Sequence, residues 1–387
     1  MTIGAIFFAL VLLAESSQQT VEDQQAIAQR AVEAEKRGDF STAVSAFEQL
    51  IQSGADSPEL RSNLGIAYFQ LHKYDRALQQ FHLVLVKAPA SIPGNLFTGL
   101  CLLKLQRARE ALLFLEKAAR AQPDNPDIIS ALARAQIGSN HLDEAGPLFE
   151  KATRLDPNNA QGWYGLGIAD RALAEKKLKA SGGTARAQAR ELMDKADAAL
   201  ARAVKLDPDS TSAYMLMGET FRIAEQYDQA VEAYKSATAQ RPDFAPVWSG
   251  LAQAYSAAGR DEDALQAANR ALSLDANDAS TNVLIAATYL RLGDYGKAKE
   301  YVERALLLQP DLSSAHVVVA KIDLEEQHPD KALPQLQAAV KDDVDGSTYY
   351  LLATTLRRLG RQTEAAAAMR KYKQLHAAHV GLPSNTP

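Results

Sequence analysis

The sequence predicts an all-α fold of about ten helix-turn-helix repeats stacked side by side, and three observations predict it. Alanines recur at a stride of 34 residues: Ala43, Ala77, Ala111 and Ala145, then, after a jump of 51, Ala196, Ala230, Ala264, Ala298 and Ala332, with Ala365 following at 33. A small residue stands twelve positions before nearly all of them, as in Gly65, Gly99, Ala133, Gly218, Ala252, Ala286, Ala320 and Ala353, and Gly167 holds the same place in the fifth repeat, ahead of the extra residues that separate it from Ala196. Proline stands twelve positions after many of them, at Pro89, Pro123, Pro157, Pro208, Pro242 and Pro310. A fixed period of this length is the signature of a repeat architecture.

Each element of the repeat has a physical reason. The small residue lies on the first helix, where a close helix crossing requires the backbones to approach. The turn that follows is marked by glycine or a polar pair, as in Arg37-Gly38-Asp39, Gly259-Arg260-Asp261 and Leu292-Gly293-Asp294. The second helix carries the periodic alanine and, four residues on, a bulky residue: Phe47, Phe81, Leu115, Phe149, Leu200, Tyr234, Val302, Leu336 or Met369. Seven on, the residue is again mostly small, as at Ala118, Ala152, Ala203, Ala237, Ala271, Ala305 and Ala339. Spacings of four and seven share one helix face. Proline cannot continue a helix, so it closes the unit. One such hairpin cannot bury its own apolar face, and stacking on its neighbours does so.

The expected repeats lie near 24–57, 58–91, 92–125, 126–159, 160–210, 211–244, 245–278, 279–312, 313–345 and 346–380. The first, seventh and ninth replace the closing proline with Ala55, Ala276 and Val344. The fifth carries about 17 extra residues. They read as a helical hairpin that runs on through Leu173–Ala180, turns at Ser181-Gly182-Gly183 and returns from Thr184 to Lys205. Around its tip Lys176, Lys177, Lys179, Arg186 and Arg190 face Glu175 and Glu191. Two readings are open for it: a basic contact for an acidic partner or anionic lipid, or a solvated lever of the kind long exposed helices need. The last repeat ends in a long helix through Arg370, Lys371, Lys373, Gln374 and His376, whose polar outer face would shield the end of the array. Residues 381–387 (GLPSNTP) read as a disordered tail.

Composition bounds the function. The 387 residues are 47% hydrophobic, enough for an extensive core and too many for a disordered chain. The formal net charge of −5 speaks against a sequence-independent nucleic-acid binder. A single cysteine, Cys101, excludes intrachain disulfides and cysteine-rich zinc sites. The apolar run Ile3–Ala14, followed by Glu15, Ser16, Ser17 and two glutamines, fits a signal peptide over residues 1–16 and hence a periplasmic or secreted protein. The run has no preceding Lys or Arg, so a short N-terminal membrane anchor is the alternative, and membrane contact is expected only through this segment.

The segments Asn63-Leu64-Gly65-Ile66-Ala67-Tyr68 and Tyr164-Gly165-Leu166-Gly167, with the alanine, bulky-residue and proline series, resemble the tetratricopeptide repeat family over residues 24–380. The resemblance implies a right-handed superhelical solenoid whose first helices line a concave groove for protein or peptide partners. Carried onto this chain, the groove-facing residues are Arg134, Tyr164, Arg171, Met215, Arg222, Gln253, Arg291, Lys321, Arg357 and Arg358. Arginines recurring on an inner wall suit acidic or C-terminal peptides through forked hydrogen bonds. Asp170 and Glu219 stand beside them, so part of the ladder is equally open to being ion-paired. Ser62 and Ile66 replace the lysine and asparagine with which some family members clamp the acidic tails of chaperones, so that role is not expected.

No catalytic set emerges. The chain lacks His-Glu-x-x-His, Gly-x-Ser-x-Gly and a phosphate-cradling glycine loop. His376 and His379 alone have helical metal spacing, without a carboxylate nearby in sequence. Cys101 sits among Leu100, Leu102 and Leu103 and reads as a core residue. Neither an enzyme nor a cofactor is expected. The expected function is an exported, bacterial-type protein-binding scaffold in envelope assembly or secretion, with a regulatory or substrate-recruiting subunit of an enzyme encoded elsewhere as the alternative. Oligomeric state is not legible.

Overall fold

The computed structural model describes residues 18–179 and 183–380. The signal segment at 1–16, most of the expected hairpin turn and the tail at 381–387 lie outside the described residues. Among those described, every regular element is helical, with twenty α-helices, one short 3-10 turn and no strand. Contacts divide the chain into two units, Met1–Gly165 and Leu166–Pro387.

The first unit holds α1 (Gln18–Lys36), α2 (Phe40–Gln52), α3 (Pro58–Gln70), α4 (Tyr74–Lys87), α5 (Ile92–Lys104), α6 (Ala108–Ala121), α7 (Pro126–Gly138), α8 (Leu142–Leu155) and the start of α9 (Ala160–Lys179). The second continues with α10 (Gly183–Leu206), α11 (Thr211–Ile223), α12 (Tyr227–Gln240), α13 (Ala245–Ala257), α14 (Asp261–Leu274), α15 (Ala279–Arg291) and α16 (Tyr295–Leu308). It ends with α17 (Ser313–Glu325), α18 (Pro329–Ala339), α19 (Ser347–Arg358) and α20 (Gln362–Val380). From α1 to α8 and from α10 to α20 each helix packs on the next, so both units are stacks of helix pairs with no central core. The apolar interior is a series of clusters handed from pair to pair, such as Phe47, Leu64, Ala77 and Phe81 in the first unit and Val283, Ala298, Val302 and Ile322 in the second.

The periodic alanines are the close crossings. All ten, from Ala43 to Ala365, are at most 3% exposed. Where the small partner on the first helix is glycine, no room is left for a methyl group. A Cβ on Gly99 would stand 2.4 Å from Leu115 Cγ, and one on Gly218 would stand 2.6 Å from the Tyr234 ring. Close backbone approach and a bulky filler beside it are two sides of one packing solution.

The turn within each pair follows one rule in the nine pairs whose turns are described. The residue closing the first helix is left-handed, at Gly38, His72, Gln106 and Asn140 in the first unit and at Glu225, Gly259, Gly293, Gln327 and Gly360 in the second. The next amide then reaches back five residues to a helix carbonyl at 2.8–2.9 Å, as Asp39 to Ala34, Arg107 to Leu102, Gln226 to Phe221 and Asp294 to Tyr289. This is the Schellman closure, which satisfies carbonyls the helix end would otherwise orphan. Glycine suits the left-handed position, but five of the nine turns use another residue there. The sequence marks these turns by glycine or a polar pair, and the left-handed position is held by glycine in four of them and by a polar residue in five.

The closing proline acts on its predecessor. Ala88, Gln122, Asp156, Arg241 and Gln309 each precede a proline and take φ between −131° and −141°, out of the helical region. The proline carbonyl is in turn held by a side chain six residues on, with donation from Asn95 to Pro89, Trp163 to Pro157 and Trp248 to Pro242 at 2.9–3.0 Å. In the inserted segment α9 and α10 span 20 and 24 residues, against 13 or 14 in most other pairs. Ala174, Ala189 and Met193 pack in its interior.

Candidate functional site

First helices of neighbouring pairs approach one another: α3 with α5 and α5 with α7 in the first unit, α11 with α13, α13 with α15 and α15 with α17 in the second. Second helices of neighbouring pairs do not come as close. The side of each stack formed by the first helices is therefore its tighter, inner side, and all ten residues expected to face a groove lie on these helices.

They fall into different situations. In the first unit Tyr164 is half-buried, while Arg134 on α7 is exposed and holds no ion pair among the described residues. Crowding by the surrounding protein nonetheless desolvates the Arg134 guanidinium and lowers its pKa. In the second unit Arg171 is committed, donating to Glu175 at 2.6 Å and pairing with Glu219 at 3.4 Å. Arg291 is committed too, bridging to Asp261 and donating to Ser256 at 3.0 Å. Met215 packs against the apolar cluster around Tyr234 and Tyr255. Lys321, Arg357 and Arg358 are exposed and unpaired among the described residues.

Arg222 and Gln253 are brought together. They line a pocket of about 310 Å³ between α11 and α13, closed by the loop into α15 and shared with Glu219, Tyr234, Ala245, Pro246, Ser249, Gly250, Asp275 and Asp278. At the floor of this pocket Tyr234 of α12 is 6% exposed. Its ring is sandwiched between two glycines, since a Cβ on Gly218 would lie 2.6 Å from it and one on Gly250 2.2 Å. The equivalent side chains in other repeats (Phe47, Phe81, Leu115, Phe149, Leu200, Val302 and Leu336) carry no polar group. Tyr234 alone among them places a hydroxyl at this depth.

Two donors in the pocket lack acceptors. Arg222 Nε is buried without a hydrogen-bond partner. The Tyr234 hydroxyl makes no hydrogen bond among the described residues. Burial pushes the Tyr234 pKa up to about 12, helped by Glu219 and opposed by Arg222 and Arg171, so the phenol keeps its proton and remains a donor. Acceptors stand on the facing wall. Asp278 caps α15, taking the Thr281 amide at 3.1 Å and the Ser249 hydroxyl at 3.4 Å. Asp275 takes the Asn277 amide at 3.0 Å. Sequence reasoning found Arg222 and Gln253 by their place on the first helices and missed Tyr234, Ser249, Asp275 and Asp278. For Tyr234 the signal was present: it is the tyrosine in a column of apolar residues.

Among the described residues no cluster of three or more His, Cys, Asp or Glu side chains is arranged to hold a metal ion, and no helix is long and apolar enough to cross a membrane. Cys101 is fully buried, and desolvation pushes its thiol up to about 12, far from a nucleophile's range.

Tetratricopeptide repeat models match residues 102–167 and 221–287, residues 29–92 and 320–379, and residues 279–312. The chain belongs to the tetratricopeptide repeat family. A tetratricopeptide repeat protein from Parabacteroides merdae covers 70% of this chain and 99% of its own, with a TM-score of 0.51 at 14% identity, a likeness of fold. TTC0263, a thermophilic repeat protein of Thermus thermophilus, is 24% identical over 52% of this chain and 100% of its own, with a TM-score of 0.42. In sequence, the Protein CTR9 homolog of Arabidopsis thaliana is 28% identical over 141 residues, 35% of this chain. The BBSome complex member BBS4 of Bos taurus is 29% identical over 122 residues, 32% of this chain. The repeat chain spans 13% of the first of these relatives and 24% of the second. A fold of stacked tetratricopeptide repeats is a protein-interaction scaffold.

Proposed function

We propose that the chain is a non-catalytic scaffold that holds an extended segment of a partner protein along the inner wall of its second unit, centred on the pocket of Arg222, Tyr234 and Gln253. The observation that carries this reading is the pair of unsatisfied donors, Arg222 Nε and the Tyr234 hydroxyl, on one pocket wall. A buried donor without an acceptor costs about 1–3 kcal/mol, which a ligand carboxylate or carbonyl recovers on binding. Arg171 and Arg291 are occupied by Glu219 and Asp261, so neither joins Arg222 in offering a free guanidinium at this pocket. Affinity capture with the wild-type chain and with Arg222→Met plus Tyr234→Phe tests it. The variant should lose partners that the wild type retains, and an identical partner set would refute the assignment.

The proposed setting is envelope assembly or secretion, supported by the apolar run Ile3–Ala14. Fractionation with N-terminal sequencing checks it, and uncleaved protein confined to the cytosol would remove export. A second reading, a recruiting subunit of an enzyme encoded elsewhere, is favoured by the lengthened α9 and α10. Shortening that hairpin would then abolish co-purification of the enzyme while leaving the Arg222 pocket intact.

A further inference from the structure

We infer, resting on the reading above, that the pocket between α11 and α13 selects a partner segment carrying a carboxylate side chain beside a cationic one, rather than a simply acidic segment. One wall asks for an anion. Tyr234, more than nine-tenths buried, lines the pocket with a hydroxyl that makes no hydrogen bond among the described residues, and Arg222, which lines it too, has an Nε without an acceptor. A single carboxylate accepts from both, and such charge-assisted bonds are the stronger kind.

The facing wall asks for a cation. Asp275 and Asp278 bond to amide and hydroxyl groups only, and neither has a cationic partner among the described residues. Glu219 is shared with Arg171 at 3.4 Å, so it does not neutralise Arg222 alone. Arg222 thus shares about 310 Å³ with Glu219 and with two carboxylates, Asp275 and Asp278, that pair with no cation among the described residues. That volume is at the small end of ligand cavities, suited to a few side chains and too small for a folded surface. A purely acidic segment would meet Arg222 and be repelled by Asp275 and Asp278. A purely basic one would leave Arg222 and Tyr234 unsatisfied. A Glu or Asp flanked by Lys or Arg answers both walls, and like-charge repulsion rejects the alternatives.

Fluorescence anisotropy on the full chain tests this with short Gly-Ser peptides, acetylated and amidated, containing Glu and Lys together, Glu alone or Lys alone. The Glu–Lys peptide is expected to bind about tenfold more tightly than either single-charge peptide, a difference of about 1.4 kcal/mol. Tyr234→Phe, which keeps the ring, should erase the advantage conferred by Glu. Asp275→Asn should erase the advantage conferred by Lys and leave that of Glu. Equal binding of the Glu-only and Glu–Lys peptides would overturn the inference while leaving the groove reading intact. Binding of none of the charged peptides above plain Gly-Ser would overturn both. A Glu-free peptide ending in lysine with a free C-terminus, if it bound more tightly than the internal pair, would overturn the side-chain assignment in favour of a chain terminus.

Discussion

Replacing Gln106 with glycine should stabilise the chain, although it removes a side chain and adds none. Gln106 closes α5 at φ +60°, in a left-handed conformation that costs an L-residue roughly 1–2 kcal/mol. Its side chain is exposed and makes no hydrogen bond among the described residues, so nothing in the folded state offsets that cost. Glycine relieves the strain but gives the unfolded chain extra freedom worth about 0.4–1 kcal/mol. The expected net gain is about 0.5–1 kcal/mol. Glu225 (φ +61°) and Gln327 (φ +65°) occupy the same position in other repeats, are likewise exposed, and should each gain as much. His72 is a poorer site, because its Nδ1 bonds the Tyr74 hydroxyl at 2.8 Å and glycine forfeits that contact. The three clean substitutions share no partners and should add to about 1.5–3 kcal/mol. Urea denaturation followed by far-UV circular dichroism reads this directly as a rise in midpoint at unchanged slope. The reverse change, Gly259→Ala at φ +73°, should lower the midpoint by a similar step, since no neighbour lies within 4 Å of its added methyl and only the backbone is tested. A fall in midpoint for Gln106→Gly with no fall for Gly259→Ala would refute the argument that one backbone rule governs every turn.

Gly99→Ala should cost about 1–3 kcal/mol despite alanine's better helix propensity, because the new methyl meets Leu115 Cγ at 2.4 Å; trimming Leu115 as well should cost less than the two changes separately, read by the same urea transitions. Asp197→Asn should stabilise at high pH only. Burial and then Asp194 raise the Asp197 carboxyl from its ordinary 3.8 to about 7, and its Oδ1 has no partner. A raised carboxylate pKa means the folded chain holds the proton more tightly, so native stability falls as pH climbs from about 4 to about 7. The gain from the substitution should be full above pH 7 and absent below pH 4 in thermal melts, and a gain independent of pH would refute the cause. Trp248→Phe should cost at most about 1 kcal/mol, since it removes the indole's bond to the Pro242 carbonyl and leaves the longer one from Arg270 at 3.4 Å, a loss read in the midpoint of urea unfolding.

The fold was legible because each repeat solves the same packing problem with the same residues. The alanine column, the small partner on the first helix and the closing proline recur since the crossing, its filler and the helix end recur. The candidate site was legible only in part, because it is the place where repetition fails. Arg222 and Arg291 look alike in sequence, both arginines late on a first helix. They stand four and five residues after their small crossing residues, Gly218 and Ala286, and one residue turns a helix by about 100°. That step carries Arg291 across to Asp261 and leaves Arg222 facing the pocket, a difference that no list of basic residues on inner helices contains. Tyr234 was hidden for the opposite reason: it fits the bulky column as a ring held between Gly218 and Gly250, and only its hydroxyl, in a residue that lines the pocket, sets it apart. Asp275 and Asp278 belong to the turn of one repeat and the cap of the next, so their meeting with Arg222 depends on how three repeats stack rather than on any one of them. A site on a repeat protein is therefore best sought by subtracting the period. What remains after the alanines, glycines and prolines are accounted for is one tyrosine out of type, an arginine whose Nε has no acceptor and two carboxylates that pair with no cation among the described residues, and they share a single pocket.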